Sequence, residues 1–99
     1  MKPVDYHPDA HGETVESALF YDSRRTGLGE TFFQAVESAA QRMAANPGLG
    51  APSFKGTRKW RLKRFPFGIY YRELPDRIFI VAVANFSRRP GYWLERVNE

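Results

Sequence analysis

Cysteine is absent from this 99-residue chain. That removes a disulfide framework, a thiolate metal site and a thiol nucleophile together, and fits a reducing compartment, with the cytoplasm as the expectation. No run approaches the ~18 apolar residues of a membrane span. The opening residues MKPVDYHPDAHG carry charges and prolines where a signal peptide needs an unbroken apolar stretch, so neither a membrane-spanning nor an exported protein is expected. Internal repeats, low-complexity tracts and linker-like composition are missing too. A chain of this size supports one domain around one core.

Acid is also missing, locally. Lys55 to Arg64 (KGTRKWRLKR) puts six basic residues into ten positions with no carboxylate between them. The asymmetry extends to the halves: residues 1–50 carry 4 Lys/Arg against 7 Asp/Glu, whereas residues 51–99 carry 11 against 4. A net charge of +4 therefore conceals a polar molecule. A basic half of this kind meets an anion such as nucleic acid, docks an acidic segment of a partner protein, or guards a strand edge against aggregation.

Chemistry that depends on clustered ligands or acid–base pairs finds little support. His7 and His11 stand four apart, but no third ligand lies nearby and Pro8 marks the start of their helix, so no metal site is expected. Glu13 and Glu16, or Glu30 and Glu37, read as solvated helix faces rather than a paired-carboxylate site. Gly27-Leu28-Gly29 follows a helix and lacks both a third glycine and a phosphate-binding lysine, so it reads as a tight interhelical turn. No cofactor is implied.

Periodicity gives the architecture. A short extended segment, Val4 to Tyr6, ends at His7-Pro8, and a helix begins at Pro8, where a missing N–H is harmless. Val15, Ala18, Leu19 and Asp22 trace one face of it, with Ala10, Ser17 and Tyr21 alongside, and Arg24 and Arg25 suit its C-terminal end. After the Thr26–Gly29 break, Leu28, Phe32, Val36, Ala39 and Met43 recur at helical spacing until Asn46-Pro47-Gly48 stops the pattern. The period then changes to two. Trp60, Leu62 and Arg58 share one face of a strand, leaving Lys59, Arg61 and Lys63 in a row on the other. Phe65–Gly68 turns the chain, Ile69–Glu73 forms a second strand, Leu74–Arg77 a turn, and Ile78–Phe86 a strand apolar on nearly both faces. The expected fold is a two-layer α+β domain: an N-terminal strand and an antiparallel helical hairpin packed on an antiparallel sheet completed by a three-strand meander.

Three stretches, RRTGLGETFFQAVESAAQRMAANPGLG, RKWRLKRFPFGIYYR and VAVANFSRRPGYW, lie in the order found in the RelE/ParE family of bacterial toxins, which the chain resembles over nearly its whole length. The resemblance implies the toxin of a type II toxin–antitoxin, plasmid-stabilisation-like system, neutralised by a cognate antitoxin whose flexible segment wraps the helices and sheet. Trp60, Phe67, Trp93 and Phe20 are candidate antitoxin contacts.

Two targets follow from the resemblance. Ribosome-dependent members cleave messenger RNA by attack of the 2′-hydroxyl on the adjacent phosphate, which requires a base, cationic stabilisation and an acid. For that activity Arg61, Arg88 and Tyr92 are the catalytic candidates. At the end of the last strand, where ribonuclease members carry Arg, Lys or His, stands Asn85-Phe86, which counts against cleavage, although a two-residue shift in the alignment would put Arg88 there. The ParE-like branch, favoured by the long second helix and the RRPGYW ending, poisons DNA gyrase by contact. Lys59, Arg61, Lys63, Arg64, Arg88, Arg89 and Trp93 are the candidate target-binding or nucleic-acid-binding residues on either reading. A small non-toxic nucleic-acid-binding regulator and a degenerate toxin that still binds antitoxin are the remaining alternatives.

Overall fold

The computed structural model describes residues 1–98. Strand β1 (Val4–Tyr6) leads into helix α1 (Pro8–Arg24), helix α2 (Leu28–Ala45), strands β2 (Ala51–Pro52), β3 (Arg58–Arg61), β4 (Phe67–Glu73) and β5 (Ile78–Asn85), and a closing 3-10 turn over Leu94–Asn98. The strands form one sheet in the order β1-β5-β4-β3-β2. β2 through β5 are antiparallel neighbours, but β1 runs parallel to β5, with Tyr6 opposite Ile80, so the sheet is mixed rather than wholly antiparallel. β2 is only two residues long and contains Pro52, too short for any periodic signal and suited to an edge that needs no N–H at proline.

The helical hairpin closes through two glycines and one carboxylate. Gly27 caps α2 at φ 90°, a left-handed conformation that disfavours side chains. Asp22 Oδ1 accepts hydrogen bonds from the backbone N–H groups of Gly27 (2.9 Å) and Gly29 (3.3 Å), satisfying donors that the helix leaves free. A Cβ on Gly29 would lie 2.3 Å from the Ala18 carbonyl oxygen, so only glycine permits this approach of the two helices.

Helix α2 buries its expected stripe: Phe32, Val36, Ala39 and Met43 are inaccessible or nearly so. Helix α1 does not. Its buried residues are Ala10 and Thr14, with Ala18 and Tyr21 packed partly against the core, whereas Val15 and Leu19 are exposed. The face traced by Val15 and Leu19 thus looks outward. Small residues seat the first half of α1 closely on the sheet, Tyr21 packs against Phe32, Phe65 and Phe67, and Val15, Leu19 and Phe20 are left at the surface.

The sheet has a buried face on each side. Ile69, Tyr71, Ile78, Ile80 and Val83 meet the helices, and the Tyr71 hydroxyl, deep in this core, donates to the Pro47 carbonyl and accepts from Gly50 N–H at 2.7 Å. Phe79, Val81, Ala82 and Ala84 face the other way, against Trp93 and Val97. Two consecutive β5 residues share that second face because the β4–β5 register slips: Tyr70 pairs with Ala82 and Tyr71 with Ile80, leaving Val81 as a bulge. The unbroken apolar run of β5 follows from this double burial, and the C-terminal segment supplies the extra cover.

Candidate functional site: a cationic sheet face held by a buried carboxylate

Trp60 turns toward the helices, where the Arg42 guanidinium lies 5.0 Å from its ring centre, so its neighbours Lys59 and Arg61 project from the opposite face of β3. There both cations converge on one ring. Lys59 Nζ lies 4.8 Å and the Arg61 guanidinium 4.6 Å from the centre of Phe86, and Lys59 also stands 5.8 Å from Tyr70. Contacts of this kind are worth about 0.5–1 kcal/mol each at exposed sites, and they fix two flexible side chains in place. Gly68 lies beneath: a Cβ there would meet the Phe86 ring at 3.0 Å and Lys59 Cε at 3.2 Å.

Two residues beyond Phe86 stands a further cation, Arg88. Its guanidinium sits 3.9 Å from the centre of the Tyr92 ring and its side chain is 54% exposed. Lys59 and Arg61 thus share one aromatic backing, Phe86, and Arg88 rests on a second, Tyr92. Lys63 and Arg64 lie past the end of β3 in the exposed loop before β4, and Arg89 is exposed in the turn after β5. The expected row through Lys63 stops at Arg61, because β3 ends there and Leu62 turns inward to the core.

Trp93 takes a different place from the one its candidacy required. It is 1% exposed and stacks on Tyr70 with ring centres 4.2 Å apart, so its side chain offers no surface to a target. The same correction applies to Phe67, which is 3% exposed. Of the four aromatic contact candidates, Phe20 is half exposed and Trp60 is partly buried.

Tyr92 is bound into a network that sequence reasoning did not find. Its hydroxyl donates a short hydrogen bond to Glu13 Oε2. The same carboxylate accepts from Arg96 Nη1 (3.0 Å) and Nη2 (3.1 Å) and from the backbone N–H of Val83 (3.0 Å), while Arg96 Nη1 also reaches the Val81 carbonyl at 3.2 Å. Glu13 and Arg96 retain only 12% and 14% of their side-chain exposure. β1 ends opposite Ile80, and the polar backbone groups of Val81 and Val83 beyond it are met by these two side chains. Burial first, and then the bond to Glu13, push the Tyr92 phenol far above its ordinary range, outweighing the opposing pull of Arg88 and Arg96. The phenolic hydrogen is directed at Glu13. Glu13 had the look of a solvated helix residue. Its partner Arg96 lies 83 positions away, and no spacing in a single sequence connects them.

His7, at 6% exposure, accepts the Asp9 N–H at Nδ1 (3.0 Å) and caps α1. Among the described residues no group of three or more His, Asp or Glu side chains is placed to hold a metal, and no helix is long and apolar enough to cross a membrane.

A second surface lies on the helical hairpin. Val15, Leu19 and Phe33, exposed by 44%, 67% and 42%, border a groove of about 430 Å³ between α1 and α2. Ala18, Thr14 and Gly29 also line it, and Asp22, Glu30 and Glu37 supply the acidic groups. The molecule therefore presents an apolar groove with carboxylates on one side and a cationic face on the other.

A search of curated proteins returned no significant match. A solved chain described as "Chromosomal ParDE TA system from P. aeruginosa" superposes with a TM-score of 0.75 at 21% identity, covering 86% of this chain and 96% of that one, which establishes a shared fold. The family model for the ParE toxin of type II toxin–antitoxin systems, parDE, matches residues 4–90, so that Glu13, Lys59, Arg61 and Arg88 fall inside the matched span and Tyr92, Trp93 and Arg96 beyond it. A match over that much of the sequence places this chain in the ParE toxin family.

Proposed function

We propose that this protein inhibits DNA gyrase by contact through its cationic sheet face, and that a cognate antitoxin holds it inactive by laying an amphipathic segment into the helical groove. The observation that carries the reading is the pairing of a pre-positioned cationic face with a sequestered phenol. Lys59 and Arg61 are held on the Phe86 ring and Arg88, half exposed, on Tyr92, positions from which they would meet an anionic surface of the enzyme or of its bound DNA, whereas Tyr92 is committed to Glu13. Such a face recognises charge and shape without supplying the proton transfers that RNA cleavage demands.

The groove supports the antitoxin part of the reading. Val15, Leu19 and Phe33 on adjoining helix faces form the kind of apolar trough that accepts an amphipathic segment, and Asp22, Glu30 and Glu37 favour basic residues flanking that segment's apolar side. An acidic stretch, the complement suggested by the charge of residues 51–99, would lie instead along the sheet face.

The test is conditional expression of this chain in a bacterium lacking the antitoxin, with DNA and protein synthesis followed separately by pulse labelling. Early loss of DNA synthesis is expected. Early loss of translation with cleaved messages would replace this reading with ribosome-dependent RNA cleavage, and an effect on neither would indicate a degenerate toxin.

A further inference from the structure

The segment after β5 carries the cationic Arg88 and Arg89, and three of its side chains converge on one carboxylate of helix α1. Glu13 receives the Tyr92 hydroxyl and both terminal nitrogens of Arg96, and Arg88 Nη1 stands 3.9 Å from its Oε2. The other anchors are the burial of Trp93 and Val97, a bond from Arg72 Nη1 to the Val97 carbonyl at 2.8 Å, one from Arg96 Nη1 to the Val81 carbonyl at 3.2 Å, and the Arg96–Asp9 ion pair at 3.8 Å. Tyr92 is in turn the ring on which Arg88 lies. The Arg88 backbone N–H is held by the Asn85 carbonyl at 3.0 Å, whereas the placement of its guanidinium runs through Tyr92 and Glu13.

We propose that Glu13 is a positioning residue: it latches residues 87–98 onto the outer face of the sheet and thereby assembles Arg88 with Lys59 and Arg61 into a single target-contacting surface. The proposal rests on the reading of that face as the contact surface, and it adds a dependence of that surface on a buried group of α1. Replacing Glu13 by Gln preserves size and one acceptor but removes the charge that two guanidinium nitrogens share, leaving the nearly buried Arg96 only its longer ion pair with Asp9, Nε to Oδ2 at 3.8 Å. The opening of the C-terminal segment then becomes a local event distinct from global unfolding.

The experiment uses the full chain in a Trp60→Phe background, so that Trp93 is the sole tryptophan, with Glu13→Gln and the milder Tyr92→Phe, which deletes one hydroxyl and keeps the ring under Arg88. Acrylamide quenching of Trp93, hydrogen exchange resolved along the chain, and inhibition of gyrase supercoiling are measured on each. For Glu13→Gln, exchange across 87–98 should accelerate about ten- to a hundredfold, as expected for loss of charge-assisted hydrogen bonds, while α2 and β4 keep their protection. Trp93 should become accessible to quencher and inhibition should weaken, with Tyr92→Phe shifting the same quantities less. Uniform acceleration over the whole chain would make Glu13 mere fold support and overturn the proposal, as would unchanged quenching. Local opening with undiminished inhibition would also overturn it, by separating the latch from the contact surface. Should the parent protein fail to inhibit gyrase at all, the functional reading falls, while quenching and exchange still decide whether the latch exists.

Discussion

Replacing Trp93 by alanine separates two roles that its sequence position allows, a surface contact and a core residue. Trp93 is 1% exposed, packs against Tyr70 at 4.2 Å between ring centres, and joins Phe79, Val81, Ala82, Ala84 and Val97 in the smaller of the two apolar clusters. Truncating a buried aromatic of this size costs about 3–5 kcal/mol, of which the aromatic pairing itself is about 0.5–1.5 kcal/mol. Against a total stability of about 5–15 kcal/mol for a domain, that is a large share. With a urea m-value of about 1 kcal/mol/M for a small protein, the unfolding midpoint should fall by about 3 M or more. Equilibrium urea denaturation followed by far-UV circular dichroism measures it. The reasoning is refuted by a midpoint shift below about 1 M, which is what an exposed side chain produces. If that small shift came with lost target inhibition, Trp93 would be a contact residue after all.

Other perturbations test separate parts of the structure. Gly29→Ala should destabilise the protein by about 2 kcal/mol or more, because the new methyl would sit 2.3 Å from the Ala18 carbonyl and force the helices apart; thermal unfolding against the parent reads this directly. Leu19→Glu and Phe33→Glu, at exposed positions bordering the groove, should change stability by less than about 0.5 kcal/mol yet weaken antitoxin binding at least tenfold by calorimetry. Alkaline pH should unfold the domain. Tyr6 is pushed up to about 12 by burial and then by Glu37, and Tyr21 and Tyr71 are raised by burial as well. A raised folded value means that the native state holds the proton more tightly. This contribution is therefore complete below the unfolded phenol value of about 10 and is lost as pH climbs through about 12 for Tyr6, so phenolate absorbance and loss of circular dichroism should rise together in that window.

How far the sequence discloses the molecule depends on the range of the interaction concerned. The α2 stripe, the β5 run and the turns at Gly27 and Pro75 are set by neighbours within a few positions, and they appear in the structure where periodicity and turn chemistry put them. Helix α1 misleads because large apolar side chains dominate a periodicity argument, while Ala10 and Thr14, which make the contact with the sheet, carry almost no such signal. The bulge at Val81 and the cover of the second sheet face are equally hidden, since a β5 apolar on both faces requires a partner but does not say which segment provides it. The basic row on β3 is half visible: alternation orients Lys59 and Arg61 correctly, and only the strand's end at Arg61 removes Lys63 from it. Glu13, Tyr92 and Arg96 are invisible as a set. They meet from opposite ends of the sequence, and each has an ordinary local explanation.

Purified gyrase offers the most direct test of the central claim, that the cationic sheet face acts on the enzyme by contact. Supercoiling of relaxed plasmid would be assayed with the parent chain and with Lys59→Glu/Arg61→Glu, after calorimetry has shown that both still bind the antitoxin. The account predicts that the parent blocks supercoiling, that the double variant does not, and that added antitoxin restores activity. Undisturbed supercoiling at saturating parent protein, together with cleavage of ribosome-bound messenger RNA, would contradict it.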